Sequence, residues 1–381
     1  MLKHRDIYDD DHAQVRDLAR RFAADEIAPH FDTWERKGII DRSLWGKLGT
    51  AGLLCPTVSE EYGGLGTDFR MHCVIAEELS YSGFMGPAAD VSVHSDVCLG
   101  YILHHGDDEQ KKRWLPGMVD GSIVAAIAMS EPGTGSDLQG IRTTARLDGD
   151  AWVLNGAKTF ISNGQHSDIV ITVTRTGSGR GSGAMSLIVV ETDREGFRRG
   201  RNLEKLGQIS ADTSELFFDD VRVPAENLLG AEGQAMPMLM AELPQERLII
   251  AVTSIAAAQK AYDITRDYVR DRTAFGRPII ENQVIRHKLA DLKTELAVGW
   301  AFVDQCIRKH QAGKLSTFDA SMAKLWVTEM QGRVVDQCVQ LHGGYGFMRE
   351  YEICRLYADA RVQRIYGGTS EIMKELIARD L

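Results

Sequence analysis

The 381-residue sequence predicts an α+β multidomain fold, with an N-terminal helical domain over 1–121, a middle antiparallel β domain over 122–231 and a C-terminal four-helix bundle over 232–381. Three observations lead to this prediction. Apolar residues first recur at helical spacing, then short β-branched segments alternate with turns, and finally long apolar segments return to helical spacing. A chain of this length can bury the cores of two or three domains.

Helical spacing in the first region is most direct in the segment HAQVRDLARRFAADEIAP, residues 12–29. Val15, Leu18 and Phe22 recur three and four residues apart, so they share one face of a helix. Pro29 is predicted to end this run, because proline has no N–H for a helix interior. The segments FRMHCVIAEELSY and DDEQKKRWLPGMVDG indicate further helices.

Between residues 122 and 225 the pattern changes to short segments that are mostly rich in β-branched residues. Turns such as Asp148-Gly149 and Asn163-Gly164 separate them, which is typical of antiparallel strands. The segment over 175–184, RTGSGRGSGA, is predicted to be a flexible loop, since it lacks the lysine and the following helix of a phosphate-binding loop. The predicted strand segments are SIVAAIAM, RTTARLDG, AWVLNGAKTFI, DIVITVTR, MSLIVVET and SELFFDDVRVP.

The region from residue 232 onward is again helical and strongly apolar. The segment over 246–272 is apolar nearly all round in its first half, so this helix is expected to be central. Two more long helices are predicted within 282–311 and 317–340, and a shorter one follows Gly367 and Gly368. Four helices in this arrangement predict a bundle.

Composition excludes several classes of protein. The net charge of −10 argues against a nucleic-acid partner, and no apolar run has the roughly 18 residues of a membrane span. No G-x-G-x-x-G motif supports a dinucleotide-binding Rossmann domain, and no metal site is predicted. The six cysteines form no CxxC pair and are predicted to be reduced, and the acidic N-terminus resembles no targeting signal. The expected compartment is the bacterial cytoplasm, although a mature mitochondrial matrix protein would have the same features.

Five short motifs are candidates for binding or chemistry. The first, AMSEPGTGSD over 128–137, ends a strand and turns, and it exposes backbone N–H groups and the Ser136 hydroxyl that can hold phosphate oxygens. A tight turn alone would also explain this motif. The other four are KTFISNG over 158–164, RTAFGRPI over 272–279, QLHGGYGF over 340–347 and YGGTSE over 366–371.

These motifs, in this order and with the helical–β–helical layout, resemble the acyl-CoA dehydrogenase family over essentially the whole chain. The resemblance implies FAD as the cofactor and an acyl-CoA thioester as the substrate. It implies oxidation of the Cα–Cβ bond to a trans-2-enoyl-CoA, with electron-transfer flavoprotein as the electron acceptor. It also implies a homotetramer and no membrane insertion.

The resemblance assigns FAD contacts to several parts of the chain. Ser130 would lie near the reactive edge of the flavin ring, and Phe160, Ile161 and Ser162 would cover its other face. Many relatives carry Trp and Thr at the positions of Phe160 and Ser162. Arg272, Phe275 and Gln283, together with residues 340–344, would bind the FAD of a neighbouring subunit. The implied cofactor-binding residues are Ile127, Ala128, Met129, Ser130, Gly135, Ser136, Phe160, Ile161, Ser162, Arg272, Phe275, Gln283, Gln340, Leu341, His342, Gly343, Gly344, Thr369 and Glu371.

The implied reaction needs a carboxylate base beside Cα, yet Gly367 occupies the position at which many family members carry that glutamate. Long-chain and isovaleryl-type members instead carry the base in a Glu-Arg pair on an earlier helix and have a small terminal residue. Glu246, followed by Arg247, matches this pattern and is the predicted base. Pro244 is predicted to break the helix just before Glu246, which leaves Glu242 on the far side as the alternative base.

The proton affinity of Glu246 stays open at this level. Burial in an apolar pocket raises the pKa of a carboxyl, whereas a helix N-terminus lowers it. The missing side chain at Gly367 is predicted to leave room for the Glu246 carboxylate, and the Gly367 N–H to donate to the thioester carbonyl. The predicted substrate-binding residues are Ser136, Pro244, Gln245, Arg247, Gly367 and Gly368.

Three functions are compatible with these features. FAD-dependent dehydrogenation of a long-chain or branched acyl-CoA is the leading one. The same fold can react with oxygen, as acyl-CoA oxidases and flavin monooxygenases do, and a catalytically silent flavin-binding subunit is suggested only by Gly367. Sequence spacing does not encode the length or branching of the acyl chain, because the depth of the acyl pocket depends on side chains from several helices.

Overall fold

A computed structural model describes residues 5–177 and 181–381 of the chain. The first four residues of the acidic N-terminus and residues 178–180 of the predicted flexible loop lie outside the described ranges. Helices form the first and last parts of the chain and one large sheet forms the middle, which confirms the predicted α+β class. In the described ranges, no helix has both the length and the apolar character needed to cross a bilayer.

The N-terminal part contains seven α-helices and two π-helical segments in the described residues. Pro29 does not end the helical run, because the π-helical segment Ala23–Ile27 leads directly into a helix that has Pro29 in its first turn. A proline is tolerated there, since first-turn N–H groups have no partner within the helix. A second π-helical segment is Val93–Cys98. The helices are α1 (Asp10–Phe22), α2 (Ala28–Lys37), α3 (Ser43–Thr50), α4 (Phe69–Tyr81), α5 (Met85–Ser92), α6 (Leu99–His105) and α7 (Asp108–Asp120).

The middle part is an eight-stranded sheet. Its strands are β1 (Ala125–Ala128), β2 (Thr144–Asp148), β3 (Ala151–Ser162), β4 (Ile169–Arg175), β5 (Met185–Glu191), β6 (Phe197–Asn202), β7 (Thr213–Pro224) and β8 (Leu228–Leu229). The order is β6-β7-β3-β2-β4-β5-β8, and β1 pairs with β4 off this path. Most pairs are antiparallel, as predicted, but β1 lies parallel to β4 with Ile127 opposite Ile171, and β2 meets β4 in a parallel bridge. Strand direction depends on the chain path, which local patterns do not encode.

The C-terminal part is helical, as predicted, with three long helices and two short ones. The long helices are α8 (Ala235–Asp271), α9 (Gln283–Gln311) and α10 (Thr317–His342), and the short ones are α11 (Glu352–Ala360) and α12 (Ser370–Ala378). The sequence prediction missed α11. A two-stranded hairpin of β9 (Thr273–Ala274) and β10 (Arg277–Pro278) separates α8 from α9.

The predicted helix break at Pro244 is wrong, because α8 continues through this residue. A proline inside a helix costs about 3 kcal/mol. The turns around it bury Met238, Leu239 and Leu243, and each such side chain contributes about 1.5–3 kcal/mol, so packing outweighs the lost hydrogen bond. Glu246 therefore lies well inside one continuous helix.

Candidate active site

Glu246 is a buried carboxylate in the interior of α8, with 6% of its surface exposed. The Tyr101 phenol on α6 donates a hydrogen bond of 2.7 Å to Glu246 Oε1. Burial raises the pKa of Glu246 to about 7; the Tyr101 hydrogen bond opposes this shift and the charge of Glu242 adds to it. Because Glu246 is far from the helix N-terminus, the opposing effect of the helix dipole does not apply. The carboxyl can thus exchange a proton near neutral pH.

Two cations hold the double-glycine loop that precedes α12. Arg247 Nε donates to the carbonyl oxygen of Gly367 at 3.3 Å, and Lys324 Nζ donates to that of Gly368 at 2.6 Å. Lys324 is fully buried on α10, and burial together with the nearby Arg247 charge lowers its pKa to about 8. Within the described part of the chain, the N–H groups of both glycines have no acceptor. These N–H groups are therefore free to donate to a bound carbonyl.

The space beside Gly367 is filled by Ile250, one turn beyond Glu246 on α8. A Cβ atom at Gly367 would overlap Ile250 Cδ1, and a Cβ at Gly368 would lie 2.6 Å from Met373 Cε. Both glycines also have left-handed backbone, with φ of 64° and 102°. The missing side chain thus accommodates Ile250 and a left-handed turn, and not the Glu246 carboxylate as the sequence had suggested.

Gly367→Ala is expected to destabilise the protein by about 1–2 kcal/mol, the usual penalty of a Cβ in left-handed backbone, with an additional cost from moving Ile250. Chemical denaturation would measure this loss. Gly63→Ala is the matched control, because Gly63 has φ of 83° but open space around it. Equal losses in the two variants would show that Ile250 yields without cost.

The loop after β1 and the end of β3 lie side by side. Thr159 N donates to Ser130 O at 3.0 Å, and Phe160 follows with φ of 60° and a ring that is 69% exposed. The side chains of Ala128 and Ile161 lie in the β-domain core, so only their backbone can contact a ligand. The other predicted residues here are half-buried or exposed: Ile127, Met129, Ser130, Ser162, Gly135 and Ser136.

A buried ion pair that was not predicted from the sequence supports this loop. Glu131 accepts hydrogen bonds from the backbone N–H groups of Arg142 and Thr143, at 2.7 and 2.9 Å. Lys158 Nζ donates to Glu131 Oε1 at 2.9 Å and to Met129 O at 3.1 Å. The carboxylate thus joins the loop after β1, the segment before β2 and strand β3, which also carries Phe160.

A third group of predicted residues forms an open surface cleft of about 490 Å³. Its lining includes Arg272 and residues 340–344, and Tyr268 stacks on His342 at 4.2 Å. Phe275 is fully exposed with φ of 53°, and Gln283 is exposed at the start of α9; neither lines the cleft.

The remaining predicted residues have structural partners of their own. Gln245 Nε2 donates to Asp96 O, and His310 Nε2 donates to Gln245 Oε1, both at 3.1 Å, so the Gln245 side chain bridges two elements. Pro244 is half-buried. Thr369 caps α12 by accepting from Ile372 N, and Glu371 is exposed.

Sequence reasoning missed two residues of this site, Tyr101 and Lys324. Lys324 follows Ala320 by four positions and precedes Val327 by three, which places a lysine on an apolar helix face. That pattern was a usable signal. Tyr101 gave none, because its partner lies 145 positions away.

Comparison with known proteins gives a consistent result over the whole chain. Models of the N-terminal, middle and C-terminal domains of acyl-CoA dehydrogenases match residues 9–122, 126–221 and 233–381. The mitochondrial long-chain specific acyl-CoA dehydrogenase of Sus scrofa is 48% identical over 379 residues, which cover 99% of this chain and 88% of that protein.

Solved structures of similar proteins have the same fold. The crystal structure of an acyl-CoA dehydrogenase from Geobacillus kaustophilus matches with a TM-score of 0.96 at 47% identity and covers 98% of each chain. An acyl-CoA dehydrogenase complexed with FAD from Bacillus anthracis matches with a TM-score of 0.92 at 31% identity, over 98% of this chain and 67% of that one.

Proposed function

The chain belongs to the acyl-CoA dehydrogenase family, and we propose that Glu246 is the base with which it removes the α-proton of an acyl-CoA. It is an FAD-dependent enzyme that oxidises an acyl-CoA thioester. One observation carries the assignment of the base: the Glu246 carboxylate is buried and accepts a hydrogen bond from Tyr101 on α6. The next residue on the helix, Arg247, donates to the carbonyl oxygen of Gly367.

The residues around β1 and β3 fit a bound flavin. An aromatic ring exposed at Phe160 is costly in water and is stabilised by a flat apolar ligand. A Cβ at Gly133 or Gly135 would meet nothing within 4 Å, so the turn is open to phosphate groups. Bound here, FAD would supply the acceptor for the hydride that leaves Cβ.

The residues of this chain carry out the proton chemistry. The Glu246 carboxylate takes the α-proton, and the Tyr101 hydrogen bond fixes the orientation of that carboxylate. The negative charge that develops on the thioester oxygen needs preorganised donors, and the free Gly367 N–H supplies one. Arg247 and Lys324 keep the loop carbonyls turned toward themselves, which leaves the N–H groups free for that task.

We extend the proposal to long-chain or branched acyl groups, to electron-transfer flavoprotein as the electron acceptor and to a homotetramer. The 48% identity to a long-chain specific enzyme supports the first. The fully exposed Phe275 and the open cleft beside Arg272 support a neighbouring subunit, whose FAD they would bind, since exposed aromatic rings usually mark an interface. The compartment, bacterial cytoplasm or mitochondrial matrix, stays a prediction from the sequence.

A substrate panel tests the proposed function. Purified protein is mixed without oxygen with acyl-CoAs from butyryl- to stearoyl-CoA and with isovaleryl-CoA, and loss of flavin absorbance and formation of enoyl-CoA are followed. We expect the fastest bleaching with a long or branched chain, and little peroxide when oxygen is admitted. Rapid peroxide release would identify an oxidase instead, and flavin that no acyl-CoA reduces would identify a silent subunit.

The rate of flavin reduction should fall about tenfold per pH unit as the pH drops below 7, because only the ionised form of Glu246 accepts a proton. Tyr101→Phe removes a donor that favours the ionised form, so the midpoint should rise by about one pH unit. Stopped-flow bleaching across the pH range measures both. Tyr81→Phe, which removes a hydrogen bond to Asp263, is the control, and an equal shift in this variant would contradict a specific role for Tyr101.

A further inference from the structure

A second buried carboxylate lies one helical turn before the base. Glu242 and Glu246 are four positions apart on α8, so they share one face of this helix, and both have 6% of their surface exposed. The mechanism uses only Glu246. A second buried carboxylate without catalytic work is expensive unless other groups compensate its charge.

Helix α6 provides a partner for each carboxylate. Tyr101 donates to Glu246, and one turn later His104 Nδ1 lies 3.0 and 3.2 Å from the two oxygens of Glu242, while His105 Nε2 lies 2.9 Å from Oε1. Because the numbering rises on α6 as it falls on α8, the two helices run antiparallel with one turn of each in register.

The close approach of Glu242 to α6 depends on Gly100. A Cβ atom at this position would lie 2.6 Å from Glu242 Oε2, so any larger residue would push the carboxylate away from the histidines. Gly100 therefore leaves the space that the buried Glu242 carboxylate needs to contact the imidazoles of His104 and His105.

The charge of this cluster changes with pH. The hydrogen bond to Glu242 raises the pKa of His104, and the His104 side chain is 50% exposed, so it exchanges protons with solvent. Glu242 with a protonated histidine is neutral, whereas Glu242 with two neutral histidines carries a negative charge beside Glu246. Like charge opposes ionisation of a neighbouring carboxyl.

Other titratable and charged groups also face this pair of carboxylates, from several elements. Arg247 on α8 and Tyr101 act on Glu246, and they are present equally in every variant considered below. The remaining groups are Cys98 from the π-helical segment Val93–Cys98, Lys111 from α7 and His310 from α9. Lys324 from α10 acts on Arg247, the neighbour of Glu246.

We propose that Glu242, held by His104 and His105, is a positioning residue whose charge sets the pH range in which Glu246 can act as the base. The inference rests on the proposed function, since it takes Glu246 to be that base. Glu242 raises the proton affinity of Glu246, and the histidines limit this effect by compensating the charge of Glu242.

Three variants test this role through the pH dependence of flavin reduction by palmitoyl-CoA. Glu242→Gln keeps the shape and removes the charge, so the midpoint should fall by about one pH unit. His104→Asn combined with His105→Gln keeps an amide N–H near each donor position and removes the protonatable imidazoles, so the midpoint should rise. The triple variant should match Glu242→Gln, because the histidines act only through Glu242.

The opposite signs separate this role from a merely structural one. An unchanged midpoint in Glu242→Gln would overturn the inference, as would a histidine shift that persists when Glu242 is Gln. If Glu242→Gln does not fold, His104→Asn alone tests the inference, because it replaces a half-exposed side chain and should raise the pH midpoint of flavin reduction. Glu246→Gln, measured in parallel, keeps the two proposals apart: retained bleaching there would refute the assigned base, whereas lost bleaching with an unshifted Glu242→Gln would refute only the inference.

Discussion

Replacing Glu246 with Gln is expected to leave FAD bound but to slow its reduction by acyl-CoA by about 10³- to 10⁴-fold, near the upper end of the usual contribution of a general base. The amide has nearly the shape of the carboxylate and can still accept the Tyr101 hydrogen bond, so the pocket should be preserved. It cannot take a proton at neutral pH. Stopped-flow bleaching under anaerobic conditions measures the loss.

The matched control for this variant is Glu242→Gln, which makes the same chemical change one turn earlier on the same helix face. It should still reduce FAD, with a shifted pH dependence. Bleaching by Glu246→Gln at the wild-type rate would refute the assignment of the base, and loss of bleaching in Glu242→Gln alone would transfer the assignment to Glu242.

Lys158→Met is expected to destabilise the protein by about 3–5 kcal/mol and to reduce its FAD content, because it leaves the Glu131 charge buried without its cation. Burial lowers the pKa of Lys158 to about 8 against the effect of Glu131, so the lysine is still charged at pH 7. Burial opposes ionisation of Glu131, but Lys158 and the N–H groups of Arg142 and Thr143 lower its pKa overall.

Thermal unfolding and the flavin absorbance per protein measure these two effects of Lys158→Met. Lys112→Met is the matched control, since Lys112 forms a solvent-exposed ion pair with Glu109 and the loss of such a pair should change stability little. Adding Glu131→Gln to Lys158→Met should recover part of the stability, because the amide oxygen can still accept the two backbone N–H groups. Equal melting of Lys158→Met and the wild type would show that the pair contributes little.

The fold class could be predicted because it is written in local periodicity. Val15, Leu18 and Phe22 indicate a helix without knowledge of what covers them. Elements with weak periodicity were missed, such as β6, whose segment FRRGRN shows no apolar alternation and is held by pairing with β7. The parallel pairing of β1 with β4 was missed for a related reason, since pairing direction is a property of the chain path.

The break expected at Pro244 shows how packing overrides a local preference. Proline disfavours helix within its own turn, and this cost can be read from the residue itself. The compensating burial of Met238, Leu239 and Leu243 comes from distant segments and cannot be read there. Because α8 is continuous, Glu242 and Glu246 share a face, which places two carboxylates where the sequence had suggested one on each side of a break.

The sequence by itself determined the order of helical, β and helical regions, the position of Glu246 and the absence of a carboxylate at Gly367, because these are properties of short segments. Only the tertiary structure decided that Tyr101 holds Glu246, that Ile250 fills the space beside Gly367 and that Lys324 holds the Gly368 carbonyl. It also decided the proton affinity of Glu246. Burial and hydrogen bonding are set by residues far apart in the chain, and only folding brings those residues into contact.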